Sequence, residues 1–442
     1  MYTIPKKLII GQEQKWRLIH NLSFHREGRS KSVNEGILNR DFPVTYPTVT
    51  TAAHLLFCEA PKNSVIWGRD MTAYYRHLMV NPACWWLMGS SFGEAFYFDS
   101  YCPFGARSMP AVFQRLTDAI RIIALRRAKC DGLVALLDDF LGVTFRKEHD
   151  TDEGLLLRAK QQSEAFDLEL LRLGLVKNAK KDLRPSWSGV WLGVQFKMRT
   201  HELAIPVEKI RATRAFFFVM ITNQTGMAPD KVLAGELRVL VGKLSHMSMT
   251  WVIGKILLWP LYRAMACAYS IVGGKRVMRK KQMIRMNAVC KEALAEWDTK
   301  LEKENLSRQF VSCTGGLKVT VVALWRSTDT ERKLKVLELR SERGTIRDIC
   351  PRTNSATKLT RSRQVMAAAI TLLHKWLLLW VGDCERVIHL RSNISKLITY
   401  VSKDFYPAGL EEKHFVLSLK IGRLLEGAEN EQTRQMYGYF IN

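Results

Sequence analysis

Residues 134–145 read VALLDDFLGVTF, two apolar runs with an aspartate pair between them. Runs of this length on either side of a polar pair form a hairpin of buried strands, with the acids at its tight turn. An Asp-Asp pair says little alone, since about one arises by chance in a chain of this length. Most such pairs are exposed turn residues, so the surrounding sequence has to supply the meaning.

A second acid sits in a comparable setting. Residues 65–76, VIWGRDMTAYYR, predict a short apolar strand that delivers Asp70 at its end, just before a turn carrying two aromatic residues. A carboxylate at a strand end is held more firmly than one on a loop tip. Joining a hydroxyl to a nucleoside triphosphate takes two metal ions roughly 3.5–4 Å apart. Hard Mg²⁺ takes carboxylate oxygens and keeps positions open for substrate and water. Asp70, Asp138 and Asp139 can supply that cage. A third element is Pro103-Phe104-Gly105, followed by Ser108, Pro110 and Phe113 at the opening of a helix that runs to about Ala128. Glycine there lets backbone approach a ligand closely, giving a platform on which a base pair could lie. Standing alone it would be a simple loop-to-helix start.

With 67 Lys and Arg against 42 Asp and Glu, the net charge of +25 suits a polyanionic partner. The apolar stretches are interrupted by Lys255, Pro260 and Arg263, and by His374 and Lys375, so they predict buried helices and no membrane span. The first residues lack the apolar core and cleavage site of a secretion signal, which makes an intracellular protein of the cytoplasm or nucleus the default. Nine scattered cysteines without CxxC spacing predict reduced, mostly core thiols.

Along the chain, residues 1–200 alternate strand-like and helix-like pieces in an α+β pattern, and 201–272 become helical. The stretch 273–286, GGKRVMRKKQMIRM, holds six Lys or Arg and predicts either a linker or a basic helix facing phosphates. From Leu317 strand-like pieces return at 317–324 and 385–390, with a long helical piece at 362–381 between them. That is the pattern of a separate α/β domain.

The order KWRLIHNLS (15–23), SVN (32–34), D-x₄-Y (70–75), P-x-G-x₂-S-x-P-x₂-F (103–113), LDD (137–139), G-L-x₂-N-x₂-K (174–181) and WLGV (191–194) resembles retroelement reverse transcriptases, most of all those of DIRS-like and Ty3-like elements. The likeness spans residues 4 to about 250. It implies a right-hand polymerase, with fingers and palm over 1–200, a helical thumb over 201–272, a basic linker or connection over 273–316 and an RNase H-like domain over 317–442. It implies an RNA or DNA template with primer and dNTPs as partners, and two Mg²⁺ ions, with Mn²⁺ a possible substitute. Asp70 and Asp138 would be metal ligands, with Asp139 supporting the metal site. Arg17 would hold the triphosphate, and Lys181 would stand near the leaving pyrophosphate as a possible general acid. Tyr75 would sit under the sugar and reject a 2′-hydroxyl, while Phe104 and Gly105 would line the nascent pair. Trp191, Leu192 and Gly193 would form the hairpin that grips the primer end.

This sequence departs from the family at Asn21, where Asp is usual, at Leu137 before the Asp pair, and in its short lead before Lys15, where Lys6 or Lys7 would stand in for a further triphosphate contact. In the C-terminal region, Trp325, Gln364 and Ser392 fall where the resemblance leads one to look for metal-binding acids. Asp329, Asp383 and Glu385 are the nearby carboxylates. A degenerate nuclease is the expectation there, since two-metal hydrolysis needs its carboxylates. The alternative for the whole chain is a catalytically silent nucleic-acid-binding remnant.

Overall fold

Apolar segments with period-two and helical spacing condense into two units in a computed structural model, which describes residues 2–5, 16–23, 32–222, 230–272, 275–309, 317–327, 335–341, 344–349 and 386–392. The first unit comprises residues 1–192 and 196–199, and the second 193–195 and 200–442.

The first unit opens with β1 (Tyr2–Pro5) antiparallel to β2 (Trp16–Ile19), followed by the short helices α1 (Val33–Gly36) and α2 (Val49–His54). Then come β3 (Val65–Asp70), a hairpin of β4 (Gly89–Phe92) and β5 (Ala95–Phe98), and the long helix α3 (Met109–Arg127). The predicted hairpin is present as β6 (Gly132–Leu136) and β7 (Asp139–Thr144). Helix α4 (Asp152–Arg172), β8 (Leu183–Ser186) and β9 (Ser188–Trp191) complete the unit. A four-stranded sheet runs in the order β6-β7-β3-β8.

Helix α4 starts where the Thr151 hydroxyl accepts the Gly154 N–H, with Asp152 and Glu153 favourably placed in the first turn. Its buried residues Leu155, Ala159, Phe166 and Leu170 recur at helical spacing and face the sheet. Trp67 of β3, Phe140 of β7 and Phe166 of α4 are fully buried, with Phe166 5.7 Å from Trp67 and 5.4 Å from Phe140 between ring centres. Each such burial contributes about 1.5–3 kcal/mol, which makes this cluster the fixed base for the strand ends above it.

The second unit begins at the turn after β9. Its elements are β10 (Val194–Lys197, whose last two residues belong to the first unit), β11 (Glu202–Ala204), α5 (Val207–Thr222), β12 (Lys231–Leu233), α6 (Ala234–Met247) and α7 (Val252–Ala266). These are followed by β13 (Tyr269–Val272), β14 (Lys275–Met278), β15 (Met283–Arg285), α8 (Ala288–Glu302) and β16 (Ser307–Gln309). Helix α6 packs against α5 and α7, and α8 packs against the same two. Trp251 and Trp297 meet edge to face at 4.7 Å in that core.

The basic stretch 273–286 is neither linker nor helix over its described residues. β14 pairs with β13 and β15 pairs with β12, so backbone pairing organises the charges into strands. The residues after it form α8, whose Cys290, Leu294, Trp297 and Leu301 are buried. Of the six described cysteines, Cys102, Cys130 and Cys290 are buried while Cys58 and Cys267 are exposed.

Farther on, β17 (Leu317–Ser327), β18 (Lys335–Ser341) and β19 (Gly344–Ile349) form an antiparallel meander, and β20 (Arg386–Ser392) lies parallel beside β17. The sheet order is β19-β18-β17-β20. The helix expected at 362–381, with Gln364, lies outside the described residues, as do Asp329, Asp383, Glu385, Lys6 and Lys7. Among the described residues no helix is long and apolar enough to cross a membrane.

Candidate active site

Strand pairing brings the acids together. β3 and β7 are antiparallel, with Asp70 directly opposite Asp139. Leu136 of β6 is also opposite Asp139, leaving Leu137 and Asp138 as a two-residue turn. Of the expected turn acids, only Asp138 is on the turn itself; Asp139 is the first residue of β7. Opposed residues of an antiparallel pair have Cα atoms about 4.5–5.5 Å apart, so carboxylates on them feel each other strongly.

Burial, and after it the negative charges of Asp70 and Asp138, push the Asp139 carboxyl up to about 7, with Lys181 acting in the opposite direction. Asp70 is better compensated. Lys181 Nζ lies 2.8 Å from its Oδ2 and Asn178 Nδ2 3.4 Å from its Oδ1, while the Asn178 N–H donates to the Asp70 carbonyl at 2.7 Å. Two residues of the G-L-x₂-N-x₂-K block thus meet one aspartate.

That block is fastened to the sheet by charges outside the motifs. Arg69, buried on β3, donates to both oxygens of Asp167 on α4 at 2.7 and 3.1 Å. Lys177 reaches Asp167 at 2.6 Å and Asp182 at 2.9 Å. A charged residue inside an apolar strand, as in VIWGRD, was the available signal. A buried charge is tolerated only when paired.

On the other flank, Tyr75 lies between Phe104 and Phe113 in tilted ring contacts at 4.8 and 4.5 Å. Burial, followed by the nearby Tyr46 and Asp138, pushes its phenol up to about 12. Tyr74 points into the core, where its hydroxyl meets Thr117 Oγ1 at 3.0 Å. Gly105 has φ +124°, and a Cβ on it would lie 2.2 Å from the His20 carbonyl oxygen, so no other residue fits there. Asn34, buried, fixes this loop by donating to the Gly105 carbonyl at 2.9 Å and accepting the Arg107 N–H at 2.8 Å. The SVN block carried that residue without revealing its task.

Trp191 ends β9 and is buried, its indole N–H 3.4 Å from the Asp139 carbonyl oxygen. Leu192 and Gly193 follow with φ values of +47° and +75°, a tight turn. Arg17 lies on β2 opposite Ile4.

Carboxylate oxygens are the ligands a hard divalent cation takes, and the like-charge strain on Asp139 is what such a cation would relieve. Among the described residues no three Asp, Glu, His or Cys side chains close around one metal-sized point, and the Lys181 ammonium rests on Asp70.

No family profile and no curated protein matches the chain. Among solved structures it is similar to the foamy viral protease-reverse transcriptase dRH in complex with ds DNA, at 15% identity and a TM-score of 0.49 over 95% of this chain. The chain spans 62% of that structure's length. It is also similar to the foamy viral protease-reverse transcriptase in complex with dsDNA, at 14% identity and a TM-score of 0.48 over 98% of this chain and 75% of the other. A third likeness is to that protein in complex with RNA/DNA hybrid, at 14% identity and a TM-score of 0.46 over 85% and 44% of the two chains.

The raised Asp139 carboxyl has a consequence for stability. The folded chain binds its proton more tightly than the unfolded chain, so in metal-free buffer stability declines as pH rises from about 4 to about 7. Asp139→Asn removes that decline. Thermal melts at pH 8 in EDTA will place the variant above the parent by on the order of 1 kcal/mol or more, with the gap closing toward pH 4.

Proposed function

We propose that this chain is the RNA-directed DNA polymerase of a retroelement, of the DIRS-like or Ty3-like kind, extending a primer with dNTPs by in-line attack of the 3′-hydroxyl. The observation that carries the reading is the pairing of Asp70 with Asp139, with Asp138 in the adjoining turn and Lys181 on Asp70. The first unit supplies fingers and palm in this reading, and α5 to α7 belong to the thumb region. Asp70 and Asp138 would hold magnesium, with Asp139 supporting the site, and the ion would supply activation of the attacking oxygen and stabilisation of the leaving phosphates when bound.

The remaining work falls to the chain's own groups. Arg17 on β2 meets the triphosphate, where a planar guanidinium fork suits phosphate oxygens. Lys181 Nζ, largely exposed and already beside the acids, is placed to give a proton to the departing pyrophosphate oxygen. Phe104 and Gly105 present a flat surface to the nascent base pair. Tyr75, packed against that surface, fills the space a 2′-hydroxyl would need, whereas Tyr74 is committed to Thr117. Trp191, Leu192 and Gly193 hold the primer end.

For the C-terminal region, an antiparallel meander with a parallel fourth strand beside its first supports an RNase H-like sheet. In its register Ser392 lies opposite Ala323, with Trp325 two residues farther along β17, and none of the three is an acid. We infer a domain that holds the hybrid without cutting it.

Purified protein will incorporate dNTPs on a primed template, and Asp138→Asn will lower that rate by on the order of 10³-fold, about 4 kcal/mol, while leaving template binding intact. Incorporation at the parental rate would remove Asp138 from the mechanism. Tyr75→Val will raise the ratio of ribonucleotide to deoxyribonucleotide incorporation, and an unchanged ratio would put the sugar gate elsewhere. A labelled RNA–DNA hybrid incubated with the chain and Mg²⁺ will keep its RNA strand whole. Specific cutting that vanishes on Asp329→Asn or Asp383→Asn would show a second active site.

A further inference from the structure

The turn that carries Asp138 is held in an unfavourable shape by a neighbouring helix. Leu137 has φ +52°, a left-handed conformation that is unfavourable for a non-glycine residue. Such a residue persists only where the surroundings over-determine it. Here both of its backbone polar groups are taken by buried side chains of α3. The Leu137 N–H donates to Gln114 Oε1 at 3.0 Å, and the Leu137 carbonyl receives Thr117 Oγ1 at 2.7 Å. Gln114 Nε2 also donates to the Ala135 carbonyl at 3.2 Å, on the strand leading into the turn, and to Asp118 Oδ1 at 3.2 Å. The Thr117 hydroxyl, with one proton to share between the Leu137 and Phe113 carbonyls, accepts from the Tyr74 phenol. On the far side of the turn, the Asp138 carbonyl accepts the Met71 N–H at 2.9 Å.

Gln114 and Thr117 are 2% and 0% exposed. Polar side chains at those depths are costly unless they are hydrogen-bonded, and these two are. Both side chains meet one residue, Leu137, and rotating it toward an ordinary φ would pull its carbonyl away from Thr117 and swing the next residue, Asp138. The same helix puts Phe113 under Tyr75, so one element sets both the acid turn and the aromatic platform.

We propose that Gln114 and Thr117 are positioning residues that hold the Leu137-Asp138 turn left-handed and thereby aim the Asp138 carboxylate, an inference that rests on the polymerase reading for its kinetic consequence. Neither residue touches substrate or metal. They act through the main chain of the turn.

The test uses the full chain. Gln114→Met keeps the volume and removes the amide, and Gln114→Met with Leu137→Gly lets the turn adopt positive φ without a clamp. Mn²⁺ binding is followed by electron paramagnetic resonance and primer extension by steady-state kinetics, with circular dichroism establishing that each variant is folded. Gln114→Met will weaken Mn²⁺ binding about tenfold or more and lower kcat by on the order of 10- to 100-fold, with the KM for dNTP moving little. Adding Leu137→Gly will recover part of both losses, which a purely structural role would not do. Should Gln114→Met fail to fold, Thr117→Val carries the same expectation. A folded variant with parental Mn²⁺ affinity and kcat overturns the proposal, and so does a double variant no better than the single. If the parent binds Mn²⁺ through Asp138 yet incorporates no nucleotide, the polymerase reading falls while the positioning inference is still decided by the Mn²⁺ arm.

Discussion

Three carboxylates gathered at one end of a buried sheet repel each other, and the architecture around them answers that repulsion. The backbone ladder between β3 and β7 does the gathering, and it is indifferent to side-chain charge. The cost falls on Asp139, whose carboxyl burial and the neighbouring charges push up to about 7. Lys181 and Asn178 reach Asp70 from the segment that follows α4, and that segment is moored by Arg69, Asp167, Lys177 and Asp182. Remove the mooring and the ammonium that tempers the cluster has no fixed address. Removing one partner of a buried pair leaves an uncompensated charge, typically a penalty of about 3–5 kcal/mol.

A second dependency runs through α3. Its apolar positions Phe113 and Ile120 belong to the core, while Gln114 and Thr117 point their polar atoms at the turn. The helix thus serves as wall and as jig. Its rigidity comes from the core beneath, since Trp67, Phe140 and Phe166 pack the sheet against α4. Sites built on such elements hold geometry more tightly than sites on loops.

Much of this was legible in the sequence, for identifiable reasons. The run VALLDDFLGVTF announces a hairpin because two apolar runs of strand length have nowhere to go but a core, and the structure forms β6 and β7 there. The helix after Pro110 and the strand ending at Asp70 follow from local chemistry of the same kind. What stayed hidden was polar. A Gln and a Thr within a helix read as surface residues, and nothing in their spacing tells that a turn 20 or more residues away needs their hydrogen bonds. Asn34 belongs to the SVN motif, but its bonds to Gly105 and Arg107 are set by tertiary contact alone. The basic stretch misled for the opposite reason. Lysine and arginine say little about backbone, and tertiary pairing with β12 and β13 made strands where charge suggested a linker or helix.

The crowding at Gly105 has an implication for how this protein can vary. The atom that would collide with a new side chain at that position is a main-chain carbonyl oxygen, belonging to His20, and main-chain atoms are the same whichever amino acid occupies a position. No compensating replacement at position 20 can therefore open room. Pairs of side chains in contact drift together over generations, one shrinking as the other grows. Position 105 has no such partner to bargain with, so it stays glycine for as long as the loop keeps its path.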